Sequence, residues 1–533
     1  MMQNNITNWL PHLEGAVPLE ARRNRLGMYS IALEGWRRGL TLKFYKTYSG
    51  KKEKIKYSLS YGEKKHKFYK SAGDKVTKEA VKICINKSKT KEYLSKAGVP
   101  VPKGKKFEVE ATDEEIIKYS ESMGFPLVVK PIDQYGGKGV ISNIQDIESL
   151  KKALFYVRQE LKFPEVLVEQ FIPGDEFRIY VVGNKVIGAV NRVPANVVGD
   201  GINSIKNLID MKNRERRKNP NLYLNPIKID QELLNTIHSS GFTLESIPEE
   251  GERIFLRNNS NVSMGGDPID VTDELSPEIT NIALKAVKAV PGLAQCGLDM
   301  IVDKKNNSGV VIELNSKPML GLHLFPVEGR ARDVSKAIID YYFPETINIE
   351  KSNLYFDFDR IIQILKDNIA KSVTVSPTPI GKIYAKKYII TGKVQGVGYR
   401  NWIKRKALSQ NLHGYTKNLK NGKVVVVVSS PNKEDVDRFK NICSQGPTKA
   451  EVRKVTEYSW DKPLKVGFEI KENTTIKKLK EELQVEKNEK EDLKKGKEAF
   501  KKRYLRIKNS RTWRYTSPMR NVIDLFKRIY ISK

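Results

Sequence analysis

The chain has 533 residues, 39% hydrophobic and 30% charged, which suits several packed domains and not a disordered chain. Its 95 Lys and Arg outnumber 63 Asp and Glu for a net charge of +32, which attracts polyanions but is spread along the chain as a lysine-rich background would also be. No run approaches the about 18 apolar residues of a membrane helix. The start MMQNNITNWLPHLEG has no basic region leading into an apolar stretch, so no transmembrane segment or signal peptide is expected and the location read is cytoplasmic.

Along the chain, residues 1–80 are basic and weakly patterned, and residues 81–345 alternate apolar runs with amphipathic segments as an α+β enzyme core does. Residues 346–379 read as a linker ending in Ser376-Pro377-Thr378-Pro379, and 380–470 as a compact α+β unit. A Lys/Glu-rich stretch, 471–505, has helical spacing, with Ile476, Leu479, Leu483, Leu493, Phe500 and Tyr504 near heptad positions. The same register puts Glu486, Lys490 and Lys497 in the seam, so an isolated or docked helix fits as well as a coiled coil. A basic aromatic tail, 506–533, carries Trp513 and Arg520. Cys84, Cys296 and Cys443 lie far apart and read as buried or incidental thiols.

In the core, Leu127-Val128-Val129 reads as a buried strand that Lys130 ends, where an ammonium can reach a cleft and neutralise phosphate charge. Gly136-Gly137-Lys138-Gly139 follows; such glycines let backbone N–H groups approach phosphate oxygens. A second strand, Val166-Leu167-Val168, delivers Glu169, and a turn at Pro173-Gly174 presents Glu176. Asp299, Glu313 and Asn315 fall on adjacent apolar strands, three hard oxygen side chains suited to Mg²⁺ between nucleotide phosphates.

This order resembles the ATP-grasp superfamily. The stretches Arg192-Val193-Pro194-Ala195-Asn196, Leu256-Arg257, Asn261 to Asp273, Glu313-Leu314-Asn315 and Gly321-Leu322-His323-Leu324 look like the ATP-grasp part of cyanophycin synthetase, and the related module of bifunctional glutathione synthesis is similar. The resemblance implies that Lys87 and Lys130 contact ATP phosphates or the adenine edge, and that residues 136–139 form a phosphate lid. It implies that Glu169 and the backbone near Phe171 meet adenine, that Glu176 meets ribose, and that Asp299, Glu313 and Asn315 hold Mg²⁺, with Mn²⁺ as a substitute. Cyanophycin synthetase continues into a Mur-ligase-like domain with its own P-loop. No G-x-x-x-x-G-K-[ST] occurs here, so that second activity is not expected; Ser276-Pro277 stands where the usual pair is His-Pro, so cyanophycin is not the expected product.

The implied chemistry activates a carboxylate by γ-phosphoryl transfer to an acylphosphate, which an amine attacks with loss of phosphate. Lys130, Lys138, Arg257 and the metal would stabilise charge on the transferred group, and Arg192 is a candidate for phosphate or a substrate carboxylate.

In the second unit, Tyr388 to Arg400 reads as a strand, a glycine-rich phosphate-binding loop and a helix starting near Arg400. Leu412-His413-Gly414-Tyr415-Thr416-Lys417-Asn418 precedes a tight turn at Asn421-Gly422. Both motifs resemble acylphosphatase over the unit's whole length. This implies a ferredoxin-like α/β sandwich in which Arg400 binds the phosphate of an acylphosphate and Asn418 orients the attacking water.

The expected architecture is therefore α+β: an ATP-grasp fold, an acylphosphatase domain and a charged C-terminal helix. The expected function is an ADP-forming carboxylate–amine ligase acting on amino acids or peptides, fused to an acylphosphate-hydrolysing domain; that domain either removes wrongly activated or stranded acylphosphates or only grips a phosphorylated or anionic partner. Glutathione-type small-peptide synthesis is the alternative within enzymes. Outside them stands an anionic-polymer or nucleic-acid binding protein with an inactive ligase fold. A homo-oligomer is left open.

Overall fold

The computed structural model describes residues 9–50, 52–132, 139–471 and four residues of the Lys/Glu-rich stretch (490, 494, 497 and 498). The charged helix as a whole and the tail 506–533 lie outside the described residues. Among the described residues no helix is long and apolar enough to cross a membrane.

The basic N-terminal region folds as a helix, α1 (Leu26–Arg37), followed by strands β1 (Thr41–Ser49), β2 (Lys52–Tyr61) and β3 (Lys64–Tyr69). Helix α2 (Lys87–Lys96) is capped by the Asn86 side chain, which accepts from the Lys89 N–H. Next comes a four-stranded sheet of order β4–β7–β5–β6, made of β4 (Gly104–Phe107), β5 (Leu127–Pro131), β6 (Ile141–Ile144) and β7 (Val166–Gln170).

Strands β8 (Asp175–Val182) and β9 (Lys185–Val193) open the central sheet. A small excursion follows, in which β10 (Asn196–Val198), α3 (Ile205–Lys218), α4 (Gln231–Ser239) and β11 (Arg253–Phe255) enclose a core of their own. Then β12 (Asp267–Asp270), β13 (Gln295–Asp303) and β14 (Ser308–Asn315) complete the sheet in the order β12–β9–β8–β13–β14.

The stretch read as a linker is built into the fold. It supplies β15 (Leu354–Tyr355), α5 (Phe358–Lys366) and β16 (Ser372–Thr374), and β16 pairs antiparallel with β1. Trp36 donates from its indole to the Ser376 carbonyl at 2.8 Å, and buried Arg37 donates to the Leu354 carbonyl at 2.6 Å. Buried Arg38 pairs with Glu34 at 2.6 Å and Asp340 at 2.8 Å, and Lys351 closes on Glu34 at 3.0 Å. The first and last parts of this half of the chain thus make one core, in which Tyr29, Trp36, Phe44, Phe356 and Phe358 pack edge on.

The last unit runs β17 (Tyr384–Lys393), α6 (Tyr399–Ser409), β18 (His413–Asn418), β19 (Val424–Ser430), α7 (Lys433–Gln445) and β20 (Glu451–Ser459), then β21 (Leu464–Lys465) and β22 (Phe468–Ile470). Its sheet order is β20–β17–β19–β18–β22, the antiparallel βαββαβ arrangement with one strand added. Strand β19 begins with five consecutive valines because both of its faces are buried. Val424, Val426 and Val428 pack beneath α6 and α7, whereas Val425 and Val427 join Tyr415 and Leu464 in the core shared with α1 and Phe356. Burying one valine stabilises by roughly 1.5–3 kcal/mol, so the second face is a substantial contact. β21 also pairs with β15, tying the unit to the former linker.

Candidate functional site

The first site lies where the four-stranded sheet meets the edge of the central one. A cavity of about 350 Å³ is lined by Lys87 and Lys91 of α2, Lys130 of β5, Glu169 of β7, Glu313 of β14 and Cys84. Glu169, only 5% exposed, accepts from Lys91 at 2.6 Å and pairs with Lys130. Burial pushes its carboxyl up, but Lys130 and Lys91 outweigh burial and hold it below the usual range. Phe171 follows, with its N–H bonded to the Pro126 carbonyl at 3.0 Å.

Deeper in, strand register builds a row of charge. Arg178 of β8 pairs with Asp299 of β13, and Asp299 with Glu313 of β14. Side chains alternate along a strand, so Glu176 shares the face of Arg178, and Asn315 that of Glu313. Arg178 donates to both Asp299 oxygens, at 2.9 Å from Nη2 and more closely from Nε. Arg192 of β9 lies 3.2 Å from Asp299 and pairs with Glu176, whose other oxygen accepts from Ser260. Burial raises Asp299, yet the two arginines win and its carboxyl stays low; for Glu176 burial wins and its carboxyl sits above the usual range. Gly297 is required beside them, because a Cβ there would meet the Pro318 ring at 2.6 Å.

The second site has the opposite character. Gly396 and Gly398 adopt φ of +77° and +78°, which turns the loop from β17 tightly into α6. Among the described residues no acceptor is paired with the N–H groups of residues 396–398, and half-buried Arg400, in the first turn of α6, makes no ion pair. Asn418 ends β18 with its Oδ1 buried and unpartnered. Gln395 sets the spacing between them, since its amide donates to the Leu419 and Lys423 carbonyls at 2.9 and 2.8 Å.

The family model described as ATP-grasp domain matches residues 84–319, and that described as acylphosphatase matches residues 386–470. The chain carries an ATP-grasp domain followed by an acylphosphatase domain. It is 33% identical over 272 residues to cyanophycin synthetase of Crocosphaera subtropica, covering 50% of this chain and 31% of that protein. It is 35% identical over 303 residues to the glutathione biosynthesis bifunctional protein GshAB of Clostridium perfringens, covering 54% and 37%. A bifunctional glutathione synthetase from Pasteurella multocida, known from its crystal structure, covers 54% of this chain and 40% of its own at 30% identity, with a TM-score of 0.43. The chain spans about a third of the length of the curated relatives it matches.

The ATP-grasp domain thus brings Lys87, Lys130, Glu169 and Glu313 to one cavity and aligns Glu176, Arg192 and Asp299 beside it, with Asn315 on the facing strand. Gly136, Gly137 and Lys138 lie outside the described residues; Gly139 follows them at φ +75°. Arg257 belongs to another set of contacts: its buried guanidinium is held by Asp230 at 2.6 Å and Glu232 at 2.5 Å at the start of α4.

Two residues of the ATP-grasp site went unread in the sequence. Lys91 stands one helical turn after Lys87, and Arg178 two residues after Glu176 on a strand, so period alone pointed to each. For a metal, the donor chemistry of Asp299, Glu313 and Asn315, hard oxygens on one face of neighbouring strands, fits Mg²⁺. His12, Glu34 and Asp333 also come within 4.8 Å of one another, but Arg38 and Lys351 already occupy Glu34, so that group is an ion-pair network.

Proposed function

We propose that the chain is an ADP-forming carboxylate–amine ligase working on amino acids or peptides through an acylphosphate, with a second domain that hydrolyses acylphosphates. The observation that carries the reading is the Arg178–Asp299–Glu313 row, flanked by Arg192 and opening on the cavity that holds Lys87, Lys130 and Glu169. Lys87, Lys91 and Lys130 meet phosphate charge, and Glu169 and Glu176 offer acceptors to adenine and ribose. Asp299, Glu313 and Asn315 would hold Mg²⁺, which supplies charge compensation on the phosphate oxygens. Arg192 and Arg178 face the transferred group, where planar guanidinium forks stabilise phosphoryl charge. The amine then attacks the acyl carbon, the C–O bond to phosphate breaks, and phosphate leaves with the activated oxygen.

In the acylphosphatase domain the free N–H groups of 396–398 and Arg400 receive the phosphate, and Asn418 places the water that splits the acylphosphate into carboxylate and phosphate. Its use in this chain is to clear activated carboxylates that no amine has captured.

The test is nucleotide release with panels of amino acids, read by product mass spectrometry. Carboxylate- and amine-dependent ADP and phosphate are expected. AMP and pyrophosphate would overturn the mechanism, and nucleotide release without any ligated product would overturn the ligase reading.

A further inference from the structure

The N-terminal sheet has a second face that the ligase site does not use. Leu42, Phe44, Tyr57, Leu59 and Phe68 point inwards to the core. The alternate positions carry Thr41, Lys43, Tyr45 and Thr47 on β1, Lys54, Lys56, Ser58 and Ser60 on β2, and Lys65, Lys67 and Tyr69 on β3. Not one of these positions is acidic. Among the described residues Lys43, Lys54, Lys56, Lys65 and Lys67 make no ion pair, whereas Lys46 and Lys64, on the opposite parity, pair with Glu53 and Glu345. Asp74 reaches the border of this face, where it accepts from the Lys67 backbone N–H at 2.8 Å, but no carboxylate pairs with the five ammonium groups among the described residues.

The face also leads to the catalytic strand. The ammonium groups of Lys54, Lys70 and Lys317 lie 5.6, 5.9 and 5.8 Å from the Tyr69 ring centroid. Lys317 stands two residues beyond Asn315, and Ser71 donates to the neighbouring Pro318 carbonyl at 2.7 Å. Ser58 is buried between its neighbours, so the track that runs from the outer strands to the end of β14 is one of ammonium groups. Unpaired like charges on a flat sheet repel one another and favour an anion that spans them.

We propose that this face binds an acidic polypeptide, as a track that holds a carboxylate-bearing chain while its end lies in the ligase site; this deepens the ligase reading and rests on it. An extended peptide suits the surface better than nucleic acid does. Base stacking needs free aromatic faces, and the Tyr69 ring is surrounded by ammonium groups while Tyr45 is half-buried. Along β2 and β3 the lysines recur at every second residue, about 7 Å apart, the repeat of same-side side chains in an extended peptide.

The experiment is fluorescence anisotropy of a labelled oligoglutamate with the full chain, with the Lys54→Glu/Lys56→Glu/Lys67→Glu variant and with the Lys→Arg variant at the same positions. Unfolding temperature checks that each variant folds. Binding should weaken with salt, fall by about tenfold or more when three surface ion pairs are removed, and survive the arginine changes. Equal binding by the charge-reversed variant would overturn the proposal. So would an oligonucleotide of equal charge that displaces oligoglutamate at lower concentration, because the face would then be a nucleic-acid surface. The readout needs no turnover, so a protein that binds oligoglutamate but ligates nothing would remove the ligase reading and keep the surface.

Discussion

The two candidate sites of this chain keep their charges differently. In the ATP-grasp domain most of the charged groups are already paired: Glu169 sits between Lys91 and Lys130, and Asp299 between Arg178 and Arg192. In the acylphosphatase domain Arg400 makes no ion pair and Asn418 keeps a buried oxygen unpartnered. On the proposed function, a self-paired site would exchange partners as nucleotide and metal enter, so that binding and reorganisation would be one event. An open cradle receives its anion with its donors already aimed, the arrangement that costs least reorganisation.

Single substitutions should separate the two. Asp299→Asn removes the charge that holds two arginines and, on the proposed function, an oxygen for Mg²⁺, and ADP release should fall by at least about a hundredfold. Arg400→Ala should lower hydrolysis of benzoyl phosphate by about 10²–10³ and leave ligation of good substrates unchanged. Loss of both activities in either variant would mean that the sites are not independent.

A substitution at the shared core tests the contrast at the level of stability. Val427→Ala should cost roughly 2 kcal/mol, because its side chain is fully buried between the acylphosphatase sheet and the N-terminal helix. Calorimetry should show the transition containing both parts move to lower temperature together; an unchanged transition for the ATP-grasp half would show that the interface is weak.

The smallest effect is on pH. Glu169 and Asp299 are held below the ordinary carboxylate range, so the folded state binds their protons less readily than the unfolded chain does. Their contribution to stability is present above the unfolded values near about 4 and is lost as pH falls through the lower folded values. Glu169→Gln should flatten this acid limb in denaturation curves recorded below about pH 4, whereas Arg400→Ala should leave it as it is. An acid limb of the same slope in the glutamine variant would refute the assignment.

What the sequence disclosed follows from how local each signal is. Lys130, Glu169, Glu313 and Asn315 lie at or near the ends of apolar strands, Asp299 lies within one, and all carry their neighbours in recognisable order, while Arg400 and Asn418 stand in two compact motifs. The use of residues 9–80 was hidden because their partners are remote: Trp36 bonds to Ser376, Arg37 to Leu354, and Lys462 reaches Glu14. Residues 346–379 looked like a connector for the same reason, since β16 makes sense only beside β1. Arg257 follows a motif, yet its setting was fixed by Asp230 and Glu232 on a helix whose packing no motif announced.

The pentavaline strand has a practical meaning for anyone who wishes to isolate the acylphosphatase domain. An acylphosphatase unit cut out at residue 380 would lay Tyr415, Val425, Val427 and Leu464 bare as one contiguous greasy face. Such a fragment would stick to its own copies and precipitate as its concentration rises. The second domain is better regarded as a graft than as a bead on a string: it lives on the scaffold that it closes, and moving it to a new host would require a lid of matching shape to go with it.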